Sequence, residues 1–380
     1  MERLKILLSG MVAGDPWHGG ASWAVLQYFL GLRRMGHDVL LVEPVAGQSQ
    51  PPEKALWQSE SAACFRHLSL PRDRAALLRV GTEETLGAPY RALVEFAAEA
   101  DLLINISGML TDDRLLEPIP VRTFLDLDPG FNQVWHETGE DVGLGVHNRF
   151  VTVGQAIGSA SCPVPTCDVR WISTLPPIVL GLWPAAAVPH GDAFTTVGHW
   201  RSYGPIEYAG VRYGQRVHSL RPLISLPRRS GARFQLALGI HPSETDDLKA
   251  LEANTWELLD PRTVAGTPDA YGHFIRESKA ELGVAKSGYA ASRCGWFSDR
   301  SACYLASGRP VIAQETGFSD FLPTGEGLLA FDSLEDAVAC VEEVDRHHGR
   351  HSEAARAIAE EHLDSNLVLG SLIERLGSSG

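Results

Sequence analysis

Short, unbroken apolar runs alternate with helix-like segments along the whole chain, and that alternation restricts it to an α/β fold. Lys5–Ser9, Val39–Val42, Leu102–Ile106, Val121–Leu127 and Arg149–Val153 read as strands. Their apolar residues are continuous rather than alternating, as expected of a parallel sheet covered on both faces. The intervening segment Ser22–Arg34 puts Val25, Phe29 and Leu32 on one helix face and Trp23, Leu26 and Leu30 on another, so both sides should be packed. The second half repeats the pattern with strands at Ala193–Val197, Phe234–Leu238, Leu282–Ala285, Val311–Ala313 and Leu328–Phe331. Helices are predicted between them near Asp246–Trp256, Tyr271–Ser278 and Ser333–His347, and again over Ser352–Leu376.

At 380 residues the chain exceeds the ~250–300 at which a single core stops growing. The Pro-bounded stretch Leu182–Gly191 has little internal pattern and suits a linker. The expected organisation is a Rossmann-like domain over residues 1–187, a second over 188–350, and closing helices over 351–380 that pack back toward the first. Open sheets of this kind bind ligands outside the carboxyl ends of their strands. Two of them facing across a cleft would set one such site against another.

The formal charge of −14 disfavours wrapping a polyanion, whether nucleic acid or an anionic membrane. Arg228-Arg229 is the densest basic pair, and it sits in a turn-like setting. No stretch approaches the ~18 apolar residues of a membrane span. The amino terminus is too short in apolar residues for a secretory leader and reads as a first strand. Six cysteines are too few for a disulfide scaffold in a chain this long. Cys162 and Cys167, the close pair, lack two further zinc ligands at suitable spacing. These features lead us to expect a cytoplasmic protein with no metal and no cofactor.

Residues 295–327 hold the densest functional signal. Ser298 is a natural helix N-cap with Asp299 in the first turn, Ala302, Leu305 and Ala306 form an apolar stripe, and Gly308 suits the stop. Pro310 and the strand Val311-Ile312-Ala313 follow, then a second glycine loop at Glu315-Thr316-Gly317. A helix start offers unpaired N–H groups and a partial charge of roughly +0.5 e. With Ser298, Arg300 and Ser301 placed there, it would suit a diphosphate.

The first loop, Asp15-Pro-Trp-His-Gly-Gly20, puts His18 at the end of a strand, where a neutral imidazole can take a proton from a hydroxyl. Gly19 and Gly20 would let a phosphate approach the backbone, or simply form a turn. Asp126 and Asp128 end a later strand before a Pro-Gly turn. Either could orient His18 as in a catalytic dyad, or serve the turn itself. Arg201, after the first strand of the second half, and Lys286, at the end of the Glu281–Lys286 run, would reach the same rim as phosphate anchors. A dinucleotide reading fails, because Gly10, Gly14, Gly19 and Gly20 do not form G-x-G-x-x-G, although Glu43 ends the second strand as a ribose-binding acid would. No Walker motif occurs either.

With the His-Gly-Gly loop and the run Gly-Trp-Phe-Ser-Asp-Arg-Ser-Ala-Cys-Tyr-Leu-Ala-Ser-Gly-Arg-Pro-Val at 295–311, the chain resembles the GT-B glycosyltransferases, bacterial proteins of family 1/4 type. The likeness is strongest over 5–43, 121–135 and 281–331. It implies two Rossmann-like αβα domains facing across a cleft. It also implies a nucleoside diphosphate sugar bound near Ala306–Val311 and Thr316-Gly317, an acceptor on the amino-terminal domain, and metal-independent hexosyl transfer. Many retaining members carry a glutamate pair separated by seven residues; here those positions are Cys294 and Ala302, so the pair is absent. Asp299 and Glu315 remain as substitutes for the sugar anchor. In inverting members a histidine after the first strand, backed by an aspartate, deprotonates the acceptor, and His18 with Asp126 or Asp128 resembles that arrangement. A nucleotide-sugar epimerase of the same fold and a non-catalytic nucleotide- or sugar-binding protein are the alternatives.

Overall fold

The structure, a computed structural model, describes residues 3–45, 56–185 and 191–377. The domain boundary expected near residue 188 lies outside the described residues. The first eight strands are β1 (Lys5–Ser9), β2 (Asp38–Val45), β3 (Ala75–Arg79), β4 (Thr85–Gly87), β5 (Leu102–Ile106), β6 (Val121–Asp126), β7 (Arg149–Thr152) and β8 (Trp171–Ser173). They form one sheet in the order β4-β3-β2-β1-β5-β6-β7-β8. All its pairings are parallel except β3 with β4.

The later strands are β9 (Phe194–His199), a small hairpin of β10 (Ile206–Tyr208) and β11 (Val211–Tyr213), then β12 (Phe234–Gly239), β13 (Glu257–Leu258), β14 (Ala280–Gly283), β15 (Val311–Gln314) and β16 (Leu328–Phe331). The second sheet, in the order β13-β12-β9-β14-β15-β16, is parallel throughout. Both sheets grow outward in opposite directions from their first strand. Their switch points therefore fall at β1/β5 and β9/β14, where such sheets bind ligands.

The strands form where burial on both faces rewards them: every residue of β5, Leu-Leu-Ile-Asn-Ile, is buried. The helix Gly19–Arg34 starts three residues earlier than its apolar pattern predicts, with His18 at the cap position. It is covered on two sides as expected. Val25, Phe29 and Leu32 pack on the first sheet, and Trp23 donates its indole N–H to the Pro268 carbonyl at 2.9 Å. The closing helix Ser365–Gly377 puts Leu369, Leu372, Ile373 and Leu376 into the core of the first sheet. A side chain at Gly31 would collide with Leu369, so only glycine allows that approach.

The Ser298 cap is as predicted: its hydroxyl accepts from the Arg300 N–H at 3.2 Å and begins a helix over Asp299–Ala306. Gly308, with φ of +67°, ends it. All six cysteines are free. Among the described residues, no helix is long and apolar enough to cross a membrane.

Candidate functional site

The loop that follows β1 is shaped by a carboxylate from β2. Glu43 is fully buried, and its Oε2 accepts from the N–H groups of Val12 (3.1 Å) and Ala13 (2.8 Å), while Oε1 accepts from Gly14 (2.6 Å). Burial pushes its pKa up to about 7, against three N–H bonds that favour the charged form. The acid at the end of the second strand thus holds the loop itself rather than a ribose. A Glu43→Gln variant would turn an amide NH₂ toward at least one of those N–H donors. It should destabilise the fold by about 1–3 kcal/mol, read as a lower urea midpoint. An unchanged midpoint would show that the loop does not depend on this anchor.

The loop delivers Asp15 and His18 into an opening between the sheets. His18 Nδ1 lies 2.9 Å from Asp15 Oδ2 and 3.3 Å from Nε2 of His199, which ends β9 in the second domain. The tautomer that satisfies Asp15 carries its proton on Nδ1 and leaves the lone pair of His18 on Nε2. The bond to His18 holds the Asp15 carboxyl below its usual range. Burial, then the neighbouring His18, pull the His199 pKa down to about 4, so its ring is neutral near pH 7.

Two clefts meet at this point. One of about 720 Å³ lies outside β9, β12 and β13. Leu238, Ile240, Leu248, Leu258 and Leu259 supply apolar walls, and Asp260 and Arg262 sit among them. The other, of about 350 Å³, runs between the domains. Its first-domain lining includes Met11, Ser107 and Leu127, and its second-domain lining includes Gln215, Arg216, Lys286 and Ser298–Arg300. His18, Val197, Gly198 and His199 line both.

Several expected roles are reassigned. Asp126 is fully buried and does not meet His18; it accepts from Asn132 (2.7 Å), Gln133 (2.8 Å), Thr152 (2.7 Å) and the Asp128 N–H (2.9 Å). Its work is to fix the Pro-Gly turn, and burial raises its pKa. Asp128 does reach the cleft, where it pairs across the domains with Lys286 at 2.8 Å and accepts from Tyr203 and Tyr289. Neither aspartate orients His18. That carboxylate is Asp15, in the same loop.

Gly19 and Gly20 allow a close contact between the domains, since side chains there would strike the Thr267 carbonyl and the Tyr271 ring, and Gly20 also lines the cleft. Arg201 pairs with Glu244 at 2.5 Å on an exposed edge and does not line the cleft. Arg300 lines it, but its side chain is 8 % exposed and its guanidinium engages Glu281, which is fully buried, and the Val197 carbonyl at 3.2 Å. Ser301 is buried behind it. Asp299 faces the cleft with its carboxyl pKa raised by burial, so the helix start meets an acid there before any ligand.

The Glu315-Thr316-Gly317 loop also lies away from the cleft lining. The Glu315 carboxylate accepts from the Gly317 N–H at 2.5 Å, and Thr316 donates to the Trp296 carbonyl at 2.5 Å. Lys286 comes three residues after β14 ends, sooner than the predicted strand. Burial lowers its pKa while Asp128 opposes the shift.

Arg216, which the sequence did not single out, is the cation left for an anion. It is half-buried and donates to the carbonyls of Val284 (3.0 Å) and His199 (2.8 Å); among the described residues no carboxylate pairs with it. Burial and the nearby Arg300 draw its pKa down to about 9, against the more distant charges of Glu281 and Asp299. Gly198, with φ of +149°, leaves room for its guanidinium.

Two parallel Rossmann-like domains with their switch points opposed across a cleft define the GT-B fold, and this chain has it. Residues 249–367 further match the family model described as glycosyl transferase-like. No curated protein matches the chain in sequence. Among solved structures, an alpha-glucosyltransferase in complex with UDP is 11 % identical at a TM-score of 0.65, with 99 % of this chain and 100 % of that chain covered. Anabaena Alr3699/HepE in complex with UDP-glucose is 14 % identical at 0.60, with 99 % and 100 % covered. Sucrose-phosphate synthase from Thermosynechococcus elongatus is 11 % identical at 0.57, with full coverage of both chains.

Proposed function

We propose that the protein is a glycosyltransferase that moves a hexosyl group from a nucleoside diphosphate sugar to a hydroxyl of an acceptor. The observation that carries this reading is the meeting of an apolar cleft, an unpaired Arg216 and a histidine–carboxylate pair at one junction between the domains. The 720 Å³ arm has the apolar walls a nucleoside needs. Uridine is the base we favour, because structures of the same fold hold UDP or UDP-glucose. The acceptor would enter between the domains along Met11, Ser107 and Leu127. The net charge argues against a polyanionic acceptor.

In the proposed step, Nε2 of His18 takes the proton of the acceptor hydroxyl as its oxygen bonds to the anomeric carbon. The bond from that carbon to the diphosphate oxygen breaks, and the electron pair leaves with the nucleoside diphosphate. A single displacement of this kind inverts the anomeric centre. Arg216 and Lys286 would neutralise the charge that develops on the leaving group, an effect worth several kcal/mol in a water-poor cleft. Fixed cations in that role need no metal. Lys286 would have to exchange Asp128 for the diphosphate, which couples donor binding to the contact between domains.

The test is a thermal-shift series with nucleoside diphosphates and their sugars. At ~100-fold over its Kd, a ligand of the native state adds roughly 2.7 kcal/mol. Arg216→Ala should erase the UDP shift, whereas Arg201→Ala should keep it. The reverse pattern would move the diphosphate to the outer rim and overturn the placement.

A further inference from the structure

The same junction holds three metal-ligating atoms from both domains: Asp15 Oδ2, His18 Nδ1 and His199 Nε2 all lie within 4.8 Å of one another. Their separations are 2.9 Å (Asp15–His18), 3.3 Å (His18–His199) and 3.7 Å (His199–Asp15). Two ligands each ~2.1 Å from one zinc-like ion, at a tetrahedral angle, sit about 3.4 Å apart. The three observed separations bracket that value without moving any residue.

Hydrogen bonding leaves this arrangement unfinished. His18 Nδ1 has a single bonding position, yet a carboxylate oxygen and a second ring nitrogen both converge on it. If Nδ1 carries its proton for Asp15, it has nothing to accept from His199. If it accepts from His199, it has nothing to give Asp15. The His18 and His199 rings meet edge to face, with centroids 4.5 Å apart. An ion with lone-pair ligands would satisfy all three atoms at once.

We infer that Asp15, His18 and His199 form a binding site for a divalent transition-metal ion, with its open positions toward the cleft. Two imidazoles and one carboxylate favour zinc, cobalt or nickel over magnesium, which prefers oxygen donors. Two ligands come from the β1 loop and the third from the end of β9, so the ion clasps one domain to the other. Arg216 donates to the His199 carbonyl at 2.8 Å and lines the same cleft as Lys286, but neither cation supplies a ligand, and the site does not depend on the glycosyltransferase reading. One consequence does rest on that reading. With the ion on Nδ1, the His18 ring keeps its remaining proton on Nε2 and has no lone pair for a hydroxyl. The loaded protein would then be closed and inactive.

Cobalt and zinc chloride, added to the full chain without nucleotide, test the site. Titration calorimetry should show one ion per chain, and cobalt should develop visible d–d absorption. Loss of an outer-shell partner already costs ~10–100-fold in affinity, so His199→Ala and Asp15→Asn should each lose at least that much. Both positions are substantially exposed, with side chains 42 % and 47 % accessible, and both variants should fold. An unchanged melting temperature without metal checks that they do. Cys162→Ser should bind as wild type, which separates this site from thiol capture. Absence of binding, or equal affinity in His199→Ala, overturns the inference. In a separate transfer assay, zinc should inhibit wild type and spare His199→Ala. Binding without inhibition would keep the site and remove only its role as an off-switch.

Discussion

His18→Ala is expected to lower kcat by about 10²–10⁴-fold, the usual contribution of a positioned general base. The thermal shift given by UDP should change little, because the diphosphate is assigned to Arg216 and Lys286 and not to the histidine. Steady-state rates with a UDP-sugar and a competent acceptor provide the first measurement, and the shift assay provides the second. Asp15→Asn should cost much less. Its carboxylate is 47 % exposed and water can take its place, whereas nothing nearby can replace the lone pair on Nε2. The rate of His18→Ala decides the assignment. Full turnover in that variant would remove the histidine from the chemistry and leave the inverting assignment without a base.

The alternation that announces the two sheets was plain in the residues, since runs buried along nearly their whole length, such as β5 and β16, leave little choice of structure. The short helix from Ser298 was equally plain, because capping is a local matter of one hydroxyl and one glycine. Several of the pieces that escaped are short or lie at an edge, although β3, five residues inside the first sheet, escaped as well. Strand β13 has two residues and β4 has three, too few for any period to show. The β10–β11 hairpin did leave a signal, the Ala209-Gly210 turn, in which both residues have positive φ (+48° and +79°).

For the site, sequence reasoning chose the loop that carries His18 but paired it with aspartates that lie elsewhere. Residue type identifies a base or an anion-seeking arginine, but partner choice depends on distances that only the fold sets. Asp15 stands three residues before His18 and was the nearer carboxylate all along. His199 comes from 181 residues away, and no local pattern could join it to His18. Arg216 and Arg300 look alike as letters; one has a buried glutamate and the other has only carbonyls. That difference moves the proposed diphosphate contact from one arginine to the other.

The Glu281–Arg300 pair gives the largest expected stability effect. Glu281, on β14, is fully buried, and Arg300 is nearly so, inside the second domain's wall of the cleft. Removing one member of such a pair leaves the other charged and unmatched, which typically costs about 3–5 kcal/mol. Glu281→Ala should therefore lower the urea midpoint sharply, and Arg300→Met should do so as well. Replacing both, as Glu281→Leu with Arg300→Met, should recover most of the loss, because no buried charge remains. The double variant also decides what Arg300 is for. If its charge serves the wall alone, the stable double variant still gives the UDP shift through Arg216 and Lys286. If the shift disappears while the fold is intact, the diphosphate does reach Arg300, and the helix beginning at Ser298 regains the role its sequence suggests.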